Sequence, residues 1–244
     1  MTPPGPWTGG PVTDRTTCVL EPNPGPMTLD GTNTWLLAAP GSSDVVVVDP
    51  GEDDPGHRAA ITQALAGRAV ALVVATHHHL DHVGGLEEFL REHPAPVVRT
   101  AGEHAVAGLS LTVVATPGHT ADSVSVFLQS GELLTGDTLL GRGSTVIADD
   151  GDLGAYLTSL RTLIDLDATV VLPGHGPARP DARAALETQL AHRLERLEQV
   201  RAAVAAGAST PEEVALAVHG ELAGPLAHAA VLSIRAQLTH LRLP

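Results

Sequence analysis

The sequence predicts an α/β fold with a helical appendage, and three observations lead there. Short Val- and Leu-rich runs alternate with helical stretches from residue 14 to residue 175. After Pro180 the pattern changes to apolar residues recurring at steps of three and four. The 244 residues are 43% apolar and only 17% charged, which supplies one full-sized buried core and a small addition to it. Aromatic residues are scarce, so that core is packed from Val, Leu and Ala.

The elements follow in order. Residues 1–13 are rich in Pro and Gly and read as a mobile tail. Strands are expected at Cys18–Glu21, Thr34–Ala38, Asp44–Asp49, Val70–Thr76 and Pro96–Thr100. Further strands are expected at Leu111–Thr116, Val124–Gln129, Leu133–Gly136 and Thr169–Leu172. Helices are expected at Pro55–Ala66, Gly85–His93 and Leu153–Leu166. These make a main domain over residues 14–180. Leu186, Leu190, Leu194, Leu197, Val200 and Val204 then share one face of a long helix. Thr210-Pro211-Glu212-Glu213 is a capping box with Pro at the first helical position, and Val231, Ile234, Leu238 and Leu241 mark a third helix. Residues 181–244 therefore read as a small helical, winged-helix-like module that packs on the main domain or forms a homodimer contact. The echo of Val73-Val74-Ala75-Thr76 in Val113-Val114-Ala115-Thr116 hints at two similar α/β halves.

Charge narrows the partners. The net charge is −14, and all 14 basic residues are Arg. Such a surface repels phosphate backbones and anionic membranes, so no duplex DNA and no membrane partner is expected. The last helix offers a DNA duplex only Arg235 and Arg242. The first twenty residues contain no apolar export segment, and no run approaches the ~18 apolar residues of a membrane span. A cytoplasmic location follows as the expectation. Cys18 is alone, so no intrachain disulfide forms, and it reads as a small core residue.

Four apolar runs each end in a metal-type ligand. ALVVAT leads into His77-His78-His79-Leu80-Asp81-His82, LTVVAT into Pro117-Gly118-His119, ELLTG into Asp137, and TVVLPG into His175. In α/β folds ligands gather beyond the carboxyl ends of strands, so the four runs place these residues along one edge. Imidazole and carboxylate suit zinc, and iron or manganese less decisively. His77 and His79 can face one ion while Asp81 and His82 turn to a second. Later histidines complete both sets, and Asp137 can bridge them. Structural zinc sites are usually cysteine-rich and closed, whereas seven ligands for two ions leave positions for water and substrate.

These residues resemble a family signature. Thr76-His77-x-His79-x-Asp81-His82-x-Gly84-Gly85 is similar to that of the metallo-β-lactamase superfamily, and Thr116-Pro117-Gly118-His119-Thr120, Gly136-Asp137 and Pro173-Gly174-His175-Gly176 match its later motifs in order. The resemblance implies a four-layer αββα sandwich, with His77, His79 and His119 on the first metal. It implies Asp81, His82 and His175 on the second, Asp137 between them, and Asp49 supporting the histidine loop. Asn23-Pro24-Gly25-Pro26-Met27-Thr28-Leu29-x-Gly31-Thr32-Asn33-Thr34, Leu139-Leu140-Gly141-x-Gly143-x-Thr145-Val146 and His192-Arg193 further resemble the β-lactamase-like protein 2 branch. Members of that branch pair the sandwich with a winged-helix-like domain, and some cleave single-stranded RNA.

The function expected is dinuclear hydrolysis of an ester, thioester, amide or phosphodiester, in a small molecule or in single-stranded RNA. A hydroxide held between two Zn2+ ions is the nucleophile, since metals lower the pKa of bound water to about 7. Asp81 holds the second metal and accepts a hydrogen bond from that hydroxide, which makes it the catalytic residue. Asn33 and Arg142 are the candidate substrate contacts. The rival readings are a single-strand endoribonuclease, a mononuclear iron oxidoreductase resembling persulfide dioxygenases, and a nucleic-acid-binding module with structural metals. His78 reads as a loop residue. His57, His93, His104, His219, His228 and His240 read as surface residues, and His192 as a helix-packing or supporting one.

Overall fold

The computed structural model describes residues 5–243. Two six-stranded sheets form the centre. The first contains β1 (Gly10–Pro11), β2 (Thr16–Leu20), β3 (Asn33–Leu37), β4 (Asp44–Val48), β5 (Ala69–Val74) and β6 (Val97–Val98), side by side in sequence order. The second contains β7 (Gly102–Val106), β8 (Leu109–Ala115), β9 (Val124–Leu128), β10 (Glu132–Gly136), β11 (Val170–Pro173) and β12 (Arg179–Pro180), again in sequence order. β4, β5 and β6 are parallel, as are β10 and β11, and every other pairing is antiparallel. Parallel neighbours need a crossover, and the helices supply it. α1 (Pro55–Leu65) joins β4 to β5, α2 (Leu80–Val83) and α3 (Leu86–Glu92) join β5 to β6, and α4 (Leu153–Ile164) joins β10 to β11.

Burial follows from that layering. Strands covered on both faces read as unbroken apolar runs, and Val45, Val46, Val47, Val73 and Val74 are fully buried. They belong to a core that also takes Leu111, Val126 and Leu128 from the second sheet and Ile61, Leu65 and Phe89 from α1 and α3. A second core joins Tyr156, Leu160 and Leu163 of α4 to Leu186 and Leu197 of α5 (Ala182–Ala205). The architecture is the αββα sandwich that the sequence motifs imply.

Beyond β12 come α5, α6 (Pro211–His219) and α7 (Gly224–Leu241), which share a small core of Val200, Val214, Ile234 and Leu238. The capping box at α6 forms, with Thr210 Oγ1 accepting from the Glu213 amide at 3.2 Å, while the Glu213 carboxylate reaches back to the Ser209 amide at 2.7 Å. The module has three helices and, among the described residues, no strand, so its likeness to a winged helix stops at the helices. No single helix among the described residues is long and apolar enough to cross a membrane.

Three expectations change. The tail is not mobile throughout: Gly10–Pro11 pair with β2, and Trp7 Nε1 donates to Asn33 Oδ1 at 2.8 Å. Residues 1–4 of that segment, and Pro244, lie outside the described residues. β7 went unpredicted because its turn, Ala107-Gly108, lacks the usual Asn-Gly signal, although both residues adopt the positive φ that a two-residue hairpin requires. The internal echo falls on unlike strands, since β5 has parallel neighbours and β8 antiparallel ones.

Candidate metal centre

Each expected ligand sits just beyond a strand. His77 follows β5, His119 follows β8, Asp137 follows β10, and His175 follows β11, while Asp81 and His82 lie in the one-turn helix α2. The seven candidate side chains converge. His77 Nε2 and His119 Nε2 each stand 3.1 Å from His79 Nδ1. His82 Nε2 is 3.2 Å from His175 Nε2, which is 3.2 Å from Asp81 Oδ2. Asp137 lies between the two groups, with Oδ2 at 3.7 Å from His119 Nε2 and 3.4 Å from His175 Nε2, and Oδ1 at 3.5 Å from His82 Nε2.

These separations match coordination rather than pairwise hydrogen bonding. Metal–nitrogen bonds of 2.0–2.1 Å at tetrahedral angles put neighbouring ligand atoms about 3.3 Å apart. The outer ring nitrogens give the same answer. Thr76 Oγ1 donates to Asp49 Oδ2 at 2.6 Å, so toward His77 Nδ1 at 3.0 Å it accepts. His82 Nδ1 donates to Asp49 Oδ2 at 2.8 Å, and His119 Nδ1 donates to the Val146 carbonyl at 2.9 Å. His175 Nδ1 faces the Gly31 carbonyl at 3.3 Å, and His79 Nε2 faces Asp150 Oδ2 at 3.0 Å. Assigned from this network, all five imidazoles carry their proton on the outside and aim a lone pair inward.

The arrangement fits a cation. Asp137 Oδ1 is buried without a hydrogen-bond partner. Any Cβ at Gly174 would lie 2.6 Å from that oxygen and 2.7 Å from His82 Cε1, so the chain leaves the space open. Burial alone would push the Asp137 carboxyl up, yet His175 and His82 hold it well below the usual carboxylate range. Burial pushes His175 down, but Asp137 and Asp81 lift it well above the ordinary histidine value. His77 and His119 are driven down chiefly by burial. Asp137 and its neighbouring histidines thus lower the cost of one another's charge, as a site built to hold a cation would.

Asp49 organises the loop. It follows β4 with a positive φ of 53°, a conformation that costs a non-glycine residue energy, and is held by three hydrogen bonds. Its Oδ1 accepts from the Thr76 amide at 2.7 Å, and its Oδ2 takes Thr76 Oγ1 and His82 Nδ1. One buried carboxylate therefore aims ligands of both groups.

Both expected substrate contacts already have partners within the chain. Asn33 is fully buried, and its amide nitrogen donates to the Pro173 and Gly176 carbonyls at 2.9 and 2.8 Å. Its oxygen accepts from Trp7 and from the Cys18 thiol. Asn33 thus clamps the loop that carries His175, and no part of its amide is left over. Arg142 lies in the loop after Gly141, with Nη2 2.6 Å from Asp30 Oδ2, so a carboxylate already balances its charge. His78 turns outward to Asp122 at 2.8 Å. His57, expected at the surface, is buried instead, with Nε2 2.8 Å from Thr34 Oγ1. Cys18 is buried as expected, and burial pushes its thiol up.

The sequence reading missed Asp150 and Val146, the outer partners of His79 and His119. Asp150 is 71 positions from its histidine and Val146 is 27 from its own, with no periodicity between.

Known proteins are similar to this chain in sequence and fold. Residues 27–108 and 101–175 match the family described as the Metallo-beta-lactamase superfamily. A Beta-lactamase-like protein 2 homolog of Caenorhabditis elegans is 36% identical over 213 residues, covering 78% of this chain and 70% of the relative. An Atrochrysone carboxyl ACP thioesterase of Aspergillus fumigatus is 31% identical over 248 residues, covering 87% and 76% respectively. The crystal structure of a metallo-beta-lactamase family protein from Thermus thermophilus superposes with a TM-score of 0.74 at 26% identity, covering 93% of each chain. By its matched motifs, its relatives and its fold, the chain belongs to the metallo-β-lactamase superfamily.

Proposed function

We propose that this protein is a dinuclear zinc hydrolase acting on small-molecule esters or thioesters. One observation carries the reading: five imidazole lone pairs and two carboxylates converge on a space that no side chain fills, around a buried Asp137 oxygen without a partner. His77, His79 and His119 would hold one ion, and Asp81, His82 and His175 the other, with Asp137 touching both. When bound, the ions supply a Lewis acid for the carbonyl oxygen and an attacking water acidic enough to lose its proton near neutral pH.

The chain's own residues do the rest. Asp81 is more open to solvent than the buried ligands beside it, so its carboxylate reaches the mouth and can accept a hydrogen bond from the attacking water. Asp49 and Asp150 keep His82 and His79 in the tautomers that ligation needs. Cys18 lies beneath Asn33 with its thiol pushed up, which removes it as a rival nucleophile.

The rim selects among substrates. Asp122 and Asp150 are exposed beside the histidines, and Arg142 is paired with Asp30. A polyanion such as RNA meets repulsion there, whereas a neutral acyl carbonyl does not. The thioesterase among the similar proteins supports the same choice. The test is a panel on the zinc-loaded protein: a thioester, a carboxylic ester, an aryl phosphodiester and single-stranded RNA, with Asp137→Ala as control. Turnover of the acyl substrates is expected to exceed that of either phosphodiester by about 100-fold in kcat/KM, and to be lost in the control. RNA cleavage matching the acyl rates, or a purified protein holding one iron and no zinc, rejects the reading.

A further inference from the structure

A second cavity of about 300 Å³ lies where the loop at Ser144, Thr145 and Val146 meets α5, α6 and α7. Its polar wall is unbalanced. Arg193 Nε, His219 Nε2 and Gln237 Oε1 are buried there without hydrogen-bond partners. Arg193 is 6% exposed and Gln237 4%. The Arg193 guanidinium lies over the Tyr156 ring, 5.0 Å from its centroid, and one of its nitrogens donates to the Thr145 carbonyl. Among the described residues neither Arg193 nor Arg196 forms an ion pair, although most other arginines do. Burial pushes His192 and His219 down, and the Arg196 charge pushes both further in the same direction.

A buried cation with neither a counter-ion nor a complete set of acceptors is costly, and a chain of net charge −14 has carboxylates to spare. None is spent here, so an anion from outside fits the vacancy. Val146, Leu222, Leu226, Ala229 and Ala230 make the rest of the wall apolar, and Leu226 is 53% exposed. The ligand is therefore charged at its inner end and apolar along its body. The volume equals that of about ten waters, close to that of an eight-carbon chain ending in a carboxylate. We propose that this cavity binds a medium-chain aliphatic monocarboxylate, with the carboxylate on Arg193 and the chain running past Leu226. The inference stands on this cavity alone and not on the hydrolytic reading. The two places nevertheless share a wall, since Thr145 Oγ1 donates to the Asp137 carbonyl at 2.6 Å and the Val146 carbonyl receives His119.

The experiment is calorimetric titration of the zinc-loaded protein with octanoate, octylammonium and inorganic phosphate. Octanoate is expected to bind once per chain, with no octylammonium binding and phosphate much weaker. Arg193→Gln removes the charge but also a contact to Thr145, so Leu226→Asp, a change on an exposed side chain, serves as the second variant. Each should weaken octanoate by at least about tenfold. Asp137→Ala should leave octanoate affinity unchanged. The proposal is overturned if both cavity variants bind octanoate like the wild type. It is equally overturned if Asp137→Ala abolishes binding, which puts the carboxylate on the metals, or if phosphate binds as tightly as octanoate.

Discussion

Gly174 shows how much of this site rests on single residues. It separates β11 from His175, and its missing side chain is the room that Asp137 and His82 face. A methyl group there collides with atoms held by the second sheet and by α2. Gly174→Ala is expected to weaken metal binding by about tenfold or more, read by competition with a chromophoric chelator. Unchanged affinity would mean that the space has another use. At this scale the sequence was most legible for the ligands, because residue type and short spacing carry coordination chemistry: His77, His79, Asp81 and His82 fall within six positions. It was least legible where a polar side chain serves the backbone. Asn33 looks like a loop amide until its two acceptors appear 140 and 143 positions away. His57 is similar, since nothing near it in the sequence reveals that Thr34 and the chain around Gly51 bury it.

Elements are tied together beneath the site by buried titratable groups. Glu21 follows β2, and its carboxylate accepts from the Glu52 amide at 2.9 Å and from Asn23 at 3.2 Å. Burial raises its pKa to about 7, so in the folded chain it keeps a proton that the unfolded chain loses near 4.5. Its contribution to stability is present below pH 4.5 and falls as pH rises toward 7. His57 in α1 behaves oppositely. Burial lowers it to about 4 from 6.5, so its contribution is present above 6.5 and falls as pH drops toward 4. Between pH 4.5 and 6.5 the two slopes oppose each other. Relative to wild type, Glu21→Gln should become more stable as pH is raised from 4.5 to 7, and His57→Gln more stable as pH is lowered from 6.5 to 4. Denaturant midpoints across that range measure both. A variant whose difference from wild type does not change with pH would remove that residue from the account. Element type was readable from the sequence pattern, as with α1, expected at Pro55–Ala66 and found at Pro55–Leu65, where Asp54 caps the first turn. The two-residue strands β1 and β12 were not, because such elements owe their existence to a neighbour rather than to their own residues.

At the scale of the whole molecule, the two sheets bring ligands from four strand ends to one edge, and the fold is the means of doing so. Candidate ligands separated by nearly a hundred residues, from His77 to His175, reach one site, where His77 stands 3.1 Å from His79 and His175 stands 3.2 Å from His82. The pocket sets two carboxylates beside His77 and His119, which burial prefers to leave neutral, and beside His82 and His175, which those carboxylates favour in the charged form. The α/β order and the helical tail were both visible in the hydrophobic pattern, whereas the packing of α5 and α7 around the Ser144–Val146 loop depends on long-range contacts that no pattern encodes.

Metal stoichiometry tests the central claim most directly. Elemental analysis of protein prepared without chelator should find about two zinc ions per chain in the wild type and about one tightly held ion in His175→Ala. Asp137→Ala should hold both loosely, because its carboxylate is the group that touches both sets of ligands. Two tightly held ions in Asp137→Ala, or a single ion in the wild type, would contradict the account.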